Sequence, residues 1–445
     1  MSPASKIRQN PWLYVITGFL TLLFGVSTVN VLINILGKPM AEEFGWARSV
    51  VTNGLSIETA VVGVSILVLG VLIDRYGPSV PSVWMALPFG IGMMLLSVVP
   101  NNQLVFYLIC ILIGSGGGAV GAVAHSAVVS AWFQERRGIA LGVLVAGLGA
   151  CGVLMPYLAN WVLGIAGWRT TYLVIGALCT IIPVTVYAFI TRMPSEHDAV
   201  RLAARRVGQV AGDSFATIAR TYKQFWLLSV AILLVSSATW GLMAQIVPMT
   251  TDKGIEQGTA VSILAMLSLS SIGARLVVGY LLDYFPARFV GTFIFLLAAI
   301  GVFLVIGSSA TGLIFLGAIL IGVALGAETD LAAYMVSRYF PQHSYGRVVA
   351  FIYFMYSLGS SLGIFLLGQI FSATGSYSAG VLPIIGMVAA SVVCLLLMGP
   401  YKFSLNYREI GASTPVAEDK ESRSLAESTA TQSVAHPTTK SKGRS

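Results

Sequence analysis

Twelve apolar runs, each near the ~20 residues that cross a bilayer, recur at residues 12–36, 51–73, 80–99, 104–129, 138–163, 168–190, 224–248, 259–282, 288–307, 311–335, 348–370 and 378–399. In hydrocarbon every backbone N–H and C=O must be satisfied within the protein, so runs of this length are read as helices. Charged residues make up 10% of the chain against about 25% in soluble globular domains, and hydrophobic residues make up 56%. A water-soluble globule is thereby excluded. The expected class is an all-α integral membrane protein with twelve transmembrane helices.

Charge placement sets the expected orientation. With the N-terminus inside, Lys38, Arg48, Arg169 and Lys253 fall outside, Arg275 lies in the membrane, and every other basic residue falls inside. This is the positive-inside bias, and it places both termini in the cytoplasm of a multi-pass protein of the inner or plasma membrane. The net charge of +8 therefore reflects lipid-facing topology, and no nucleic-acid partner is expected. The first run is too long for the h-region of a cleaved signal peptide, so it is expected to remain as a spanning helix. Cys110, Cys151, Cys179 and Cys394 all fall within helices, without metal-ligand or disulfide spacing. His125, His197, His343 and His436 form no metal motif either. No nucleophile, base and orienting acid can be assembled, so neither an enzyme nor a cofactor is expected.

The charged stretch 191–223 interrupts the apolar pattern and divides the chain. It separates an N-terminal six-helix bundle (12–190, after a cytoplasmic segment 1–11) from a C-terminal one (224–399). The tail 400–445 has too few large apolar residues to offset its ordering entropy and is expected to be disordered. The halves echo each other. Gly70 to Arg75 recurs as Gly279 to Tyr284, an offset of 209, and Ala131-Trp132-Phe133 recurs as Arg338-Tyr339-Phe340, an offset of 207. Parallel repeats around a midplane site are one architecture that permits alternating access.

Arg275 stands in the apolar run Leu264–Leu282. A charge near the bilayer centre costs at least ~2.5–3.5 kcal/mol, so it normally faces protein or a watery cavity and marks a path for ions or substrates. Eight residues separate it from Asp283 at the cytoplasmic helix end, about 12 Å at 1.5 Å per residue. Ser268, Ser271, Arg275 and Gly279 share one helical stripe, and a guanidinium fork suits a carboxylate. The alternative is an arginine permanently paired with an acid to fix packing. Glu328 and Asp330 lie at nearly the same depth but point about 200° apart, so one is expected to meet Arg275 or carry a proton while the other serves packing. Polar faces on other helices, Ser27, Asn30 and Asn34, then Ser236, Thr239 and Trp240, then Tyr353, Tyr356, Ser357 and Ser360, could orient a substrate or hold helices together. Glu58 is a weaker candidate, placed toward the outer face. The run Gly114 to Gly118 lacks the ending of a phosphate loop and is read as close helix packing, as are Gly142, Ala146, Gly149 and Gly152.

Gly70, Leu72, Asp74, Arg75 and Gly77 resemble the loop motif of the major facilitator superfamily. Trp132-Phe133, Arg136-Arg137-Gly138, Ala140-Leu141-Gly142 and Ala146-Gly147 are similar to the fifth-helix signature of its monocarboxylate and oxalate:formate porter branch. The resemblance implies two pseudo-symmetric six-helix bundles and an eighth-helix arginine, here Arg275, that binds substrate carboxylate. Two departures qualify it. The branch's monocarboxylate porters carry an aspartate where this chain has Ser271, and its oxalate porters add an eleventh-helix lysine that the run 348–370 lacks.

The leading expectation is proton-coupled uptake of a small organic monocarboxylate by a chain that works as a monomer. Arg275, Asn30, Asn34, Ser271, Tyr353, Tyr356 and Ser357 would bind the substrate, and Glu328 or Asp330 would exchange the proton. Asp74, Arg75, Arg136, Arg137 and Asp283 would form state-dependent bridges at the cytoplasmic rim. Organic anion exchange is the near alternative, and a drug exporter or a transport-derived membrane sensor lies further off.

Overall fold

The computed structural model describes residues 10–133, 137–191, 215–340 and 345–401. Ten helical runs are long and apolar enough to cross a membrane, one of which, Ile139–Ile190, extends over 52 residues. That run is two passes folded at Gly167, whose φ of 76° and ψ of 172° lie in a region that glycine enters without steric cost.

Twelve passes can then be traced through the described residues. They are α1 (Pro11–Phe44, broken between Leu23 and Ser27), α2 (Arg48–Tyr76), α3 (Ser79–Leu95) and α4 (Gln103–Gly117 continued by Ala122–Trp132). Next come α5 and α6, the two limbs of Arg137–Thr185 on either side of Gly167, and α7 (Lys223–Met243 continued by Ile246–Asp252). The series ends with α8 (Gln257–Tyr284), α9 (Ala287–Gly307), α10 (Thr311–Tyr339), α11 (Tyr345–Thr374) and α12 (Val381–Leu397). A short helix, Phe215–Thr221, precedes α7 within the stretch expected to be a linker. Residues 192–214 of that stretch and 402–445 of the tail lie outside the described residues.

Several helices outrun their apolar segments. α1 continues past residue 36 through Lys38, Glu42 and Glu43 and stops at Gly45, which takes the left-handed conformation (φ 65°) and caps the helix. Polar last turns of this kind stand beyond the hydrocarbon, where hydropathy no longer reports them. Other ends carry side-chain caps. Asn102 accepts from the N–H groups of Leu104 and Val105 at the start of α4 (2.9 and 3.3 Å), satisfying donors that a helix N-terminus leaves orphaned. Lys253 Nζ donates to the carbonyls of Val305, Ile306 and Ser308 at 2.6–2.7 Å, closing the end of α9.

Within each half, helices touch through glycine. A Cβ on Gly116 would fall 2.1 Å from the Met85 carbonyl of α3, one on Gly326 would fall 2.2 Å from the Ser271 carbonyl of α8, and one on Gly363 would fall 1.9 Å from the Ser237 carbonyl of α7. Lipid offers no hydrophobic drive for helices to associate, so close backbone approach supplies the van der Waals contact that holds them. The glycines of α4 behave as read from the sequence. Gly142 does not: no atom lies within 4 Å of its would-be Cβ, whereas Gly149 and Gly152 press on Ile272 and Ser268 of α8.

The seam between the halves is tight at one end. Arg48 pairs with Asp252 through both guanidinium nitrogens, Lys38 stands 3.6 Å from the same carboxylate, and the Arg48 guanidinium lies 4.8 Å above the Phe371 ring. Gln369 donates to Asn53 (3.0 Å), and Ser361 donates to the Ser56 carbonyl (2.6 Å). Contacts continue at Gly149–Ile272 and Gly152–Ser268, whereas the would-be Cβ atoms of Gly279 and Gly142 face open space. Asp252→Ala would leave two cations without their shared anion. It is expected to raise severalfold the reaction of a cysteine placed at Val51 with an impermeant thiol reagent, and unchanged labelling would deny the latch any role in holding that end shut.

Candidate functional site

A cavity of about 550 Å³ occupies the seam. Its wall is symmetric in origin: α1, α2, α4 and α5 contribute from the first half and α7, α8, α10 and α11 from the second. The breaks in α1 and α7 lie beside it, since Val26 lies in the first break, Ser27 follows it and Met243 precedes the second, and all three line the cavity. Interrupted helices present backbone polar groups only where protein or water can satisfy them, which suits a site at that level.

Arg275 lines this cavity. Its Nη1 donates to Asp330 Oδ1 at 2.9 Å and to Thr329 Oγ1 at 3.3 Å, so that edge of the guanidinium is turned to α10. Both charged side chains keep part of their surface accessible, 28% for Arg275 and 39% for Asp330, so the pair borders the cavity rather than being sealed behind it. A guanidinium has five donors in a fixed fork, and one nitrogen directed at Asp330 leaves an edge with which to meet a second carboxylate.

Glu328 occupies a different environment from Asp330. It is fully buried, is absent from the cavity wall, and accepts a hydrogen bond from Thr239 Oγ1 of α7 at 3.2 Å. The turn of about 200° between residues two apart sends one acid toward α7 and the other toward α8. Trp240 beside Thr239 lines the cavity and donates its indole N–H to the Tyr356 oxygen at 2.6 Å.

Of the other expected substrate-binding residues, Asn30, Ser271, Tyr353, Tyr356 and Ser357 line the cavity, as do Ser27, Ser268 and Ser360. Asn34 does not. It is buried, and its amide nitrogen is spent on the backbone carbonyl and side-chain oxygen of Asn30, both at 3.1 Å, so it braces Asn30 one turn away. Ser236 is likewise off the wall and donates to the Leu233 carbonyl. His125 packs inside the first half, stacked on Tyr187 with ring centroids 4.7 Å apart. Among the expected rim residues, Arg75 is exposed. Arg136 and the side chains of Asp74, Arg137 and Asp283 lie outside the described residues, as do His197, His343 and His436.

Glu58 is the main addition. It borders the cavity, is 2% exposed, and one carboxyl oxygen accepts from its neighbour Thr59 (3.2 Å) while the other has no hydrogen-bond partner. Its charge was the signal available in the sequence. Counting residues from Asp74 gave a level along α2 but could not show that the side chain borders the cavity. Apolar lining residues such as Leu55 and Leu325 carried no signal, because a leucine facing a cavity and one facing lipid read alike. Among the described residues no group of three or more His, Cys, Asp or Glu is placed to hold a metal ion.

Twelve passes around a seam cavity holding an accessible charge pair define a multi-pass membrane protein with a central polar site. Comparison with known proteins supplies the family. The sequence profile described as Major Facilitator Superfamily matches residues 15–364, and the chain belongs to that superfamily. It is 24% identical over 283 residues to the oxalate:formate antiporter of Oxalobacter formigenes, an alignment covering 63% of this chain and 65% of that protein's length. It is also 24% identical to monocarboxylate transporter 13 of Bos taurus, over 69% of this chain and 70% of the relative. Among solved structures, a bacterial homolog of the human lysosomal transporter Spinster, in an inward-facing and occupied conformation, superposes with a TM-score of 0.62 at 16% identity. That match covers 87% of this chain and 96% of the other, a likeness of fold.

Proposed function

We propose that this chain is a secondary transporter that moves an organic monocarboxylate together with a proton by alternating access. The observation that carries the reading is the Arg275–Asp330 pair on the wall of a cavity at the seam. A substrate carboxylate entering there competes with Asp330 for the guanidinium. Two carboxylates against one guanidinium leave an excess negative charge in a largely apolar space, which is costly, and a proton accepted by Asp330 removes it. Substrate and proton then travel as a neutral pair. Glu328, braced by Thr239 away from the cavity, is the reserve proton site. The residues 12–190 and 224–399 are the two rocking units, and the end carrying residues 10 and 400 faces the cytoplasm.

The relationship to the oxalate:formate antiporter supports organic anion exchange as the second reading. Uptake into proteoliposomes separates the two. Symport is expected to accumulate labelled acid when the exterior is made acidic, and Asp330→Asn is expected to abolish that response while sparing counterflow. Accumulation indifferent to the pH gradient, with counterflow intact in the parent protein, would decide for exchange.

A further inference from the structure

The cavity's charges and walls together constrain what it can take. Resting on the carboxylate reading above, we infer that the substrate is a bulky monocarboxylate with a long alkyl or aryl body, and that short-chain acids and dicarboxylates are poor ligands.

Three observations support this. Among the described residues, the acidic and basic side chains on the cavity wall are Arg275, Asp330 and Glu58, one guanidinium and two carboxyl groups. An anionic head is therefore welcome at a single place. A second carboxylate at the far end of a ligand would find no further guanidinium or ammonium among the described residues of the wall. An unpaired charge in a largely apolar space is strongly disfavoured.

The remaining wall is mainly apolar. Leu55, Val62 and Ile66 come from α2, Leu148 from α5, Met243 from α7 and Leu325 from α10. A volume of about 550 Å³ lies within the ~300–1,000 Å³ of cavities that enclose drug-sized ligands. An acid of two or three carbons held at Arg275 would touch little of this surface and draw no binding free energy from it. Burying a methylene is worth ~0.8 kcal/mol, about a three- to fourfold gain in affinity per carbon, and only a long or ringed body realises it.

The aromatic part of the wall is fixed in place. Trp240 and Tyr356 are locked by the 2.6 Å hydrogen bond between them, their rings nearly perpendicular with centroids 6.2 Å apart. Preorganised ring faces at the level of Arg275 favour a flat or extended apolar body next to the carboxylate, at little cost in side-chain entropy.

The test is a titration of the full chain in nanodiscs by calorimetry with acetate, butanoate, hexanoate, octanoate, 3-phenylpropanoate, oxalate and octanedioate at neutral pH. Empty nanodiscs correct for partition into lipid. Affinity is expected to climb about threefold per carbon from butanoate to octanoate, with 3-phenylpropanoate near the top and octanedioate at least tenfold weaker than octanoate. Val62→Trp, checked for an unaltered unfolding temperature, is expected to shorten the longest acid accepted by several carbons. Affinity that is flat along the series, or oxalate binding as tightly as octanoate, with Arg275→Gln abolishing both, would overturn this inference and leave the carboxylate reading standing. Octanoate binding that survives Arg275→Gln, or no binding by any acid, would bring down that reading and this inference with it.

Discussion

Arg275→Gln is expected to lower both substrate binding and uptake by at least about 100-fold. A substrate carboxylate enclosed against Arg275 would lose its charged partner, a loss worth roughly 2–5 kcal/mol for a buried hydrogen-bonded pair, and each 1.4 kcal/mol is a factor of ten. Here the loss falls on the ligand as well as on Asp330. Arg275→Lys keeps the charge but replaces a planar fork with a point charge on a flexible stem, so a deficit of about tenfold should persist. Gln also deprives Asp330 of its 2.9 Å partner, and Arg275→Gln with Asp330→Asn in the same chain is the control for that. The double variant should fold as well as the parent and still fail to bind. Calorimetry and uptake on protein of verified unfolding temperature check the prediction. Binding within a few-fold of the parent would mean that Arg275 fastens α8 to α10 and does nothing for the ligand.

The second large effect concerns folding rather than transport. Gly363→Ala is expected to destabilise the bundle by about 3 kcal/mol or more, toward the upper end of overpacking penalties. The new Cβ would sit 1.9 Å from the Ser237 carbonyl oxygen and 2.6 Å from its Cα. Those are backbone atoms in the middle of α7, so no side chain can swing aside and the two helices must separate. Ser237 also donates to the Gly359 carbonyl of α11 at 2.8 Å, a bond that separation would strain. Gly279→Ala is the matched control, since nothing lies within 4 Å of it. Thermal unfolding in detergent should show a marked fall for Gly363→Ala and little change for Gly279→Ala, and equal unfolding temperatures would refute the close approach of α7 and α11.

Hydropathy made the passes legible, because a bilayer demands long apolar helices and few other features of a sequence are so plainly written. It separated 138–163 from 168–190, on either side of the turn at Gly167, but missed the polar end of α1. Arg275 stood out because charge is rare in such a context, and helical geometry separated the directions of Glu328 and Asp330 before any contact was known. Choosing between them was beyond the sequence, since it depends on Thr239 and Arg275 arriving from helices distant along the chain. Asn34 shows the opposite failure: helical spacing put it on a face with Asn30, but an amide can be used up by its own neighbour. Glu58 shows that a level counted along one helix does not say whether the side chain meets a cavity. The apolar wall was invisible, as lipid and cavity select the same side chains.

The latch built on Asp252 has a consequence for the state in which it is undone. While it is closed, one carboxylate occupies both Arg48 and Lys38. In the proposed alternating-access cycle, parting of the halves at that end would carry Asp252 away with α7 and leave the two positive side chains on the first half. The same groups that bolt the door then become a lure, concentrating negatively charged solutes at the entrance, well before any of them reaches the guanidinium deeper in the seam.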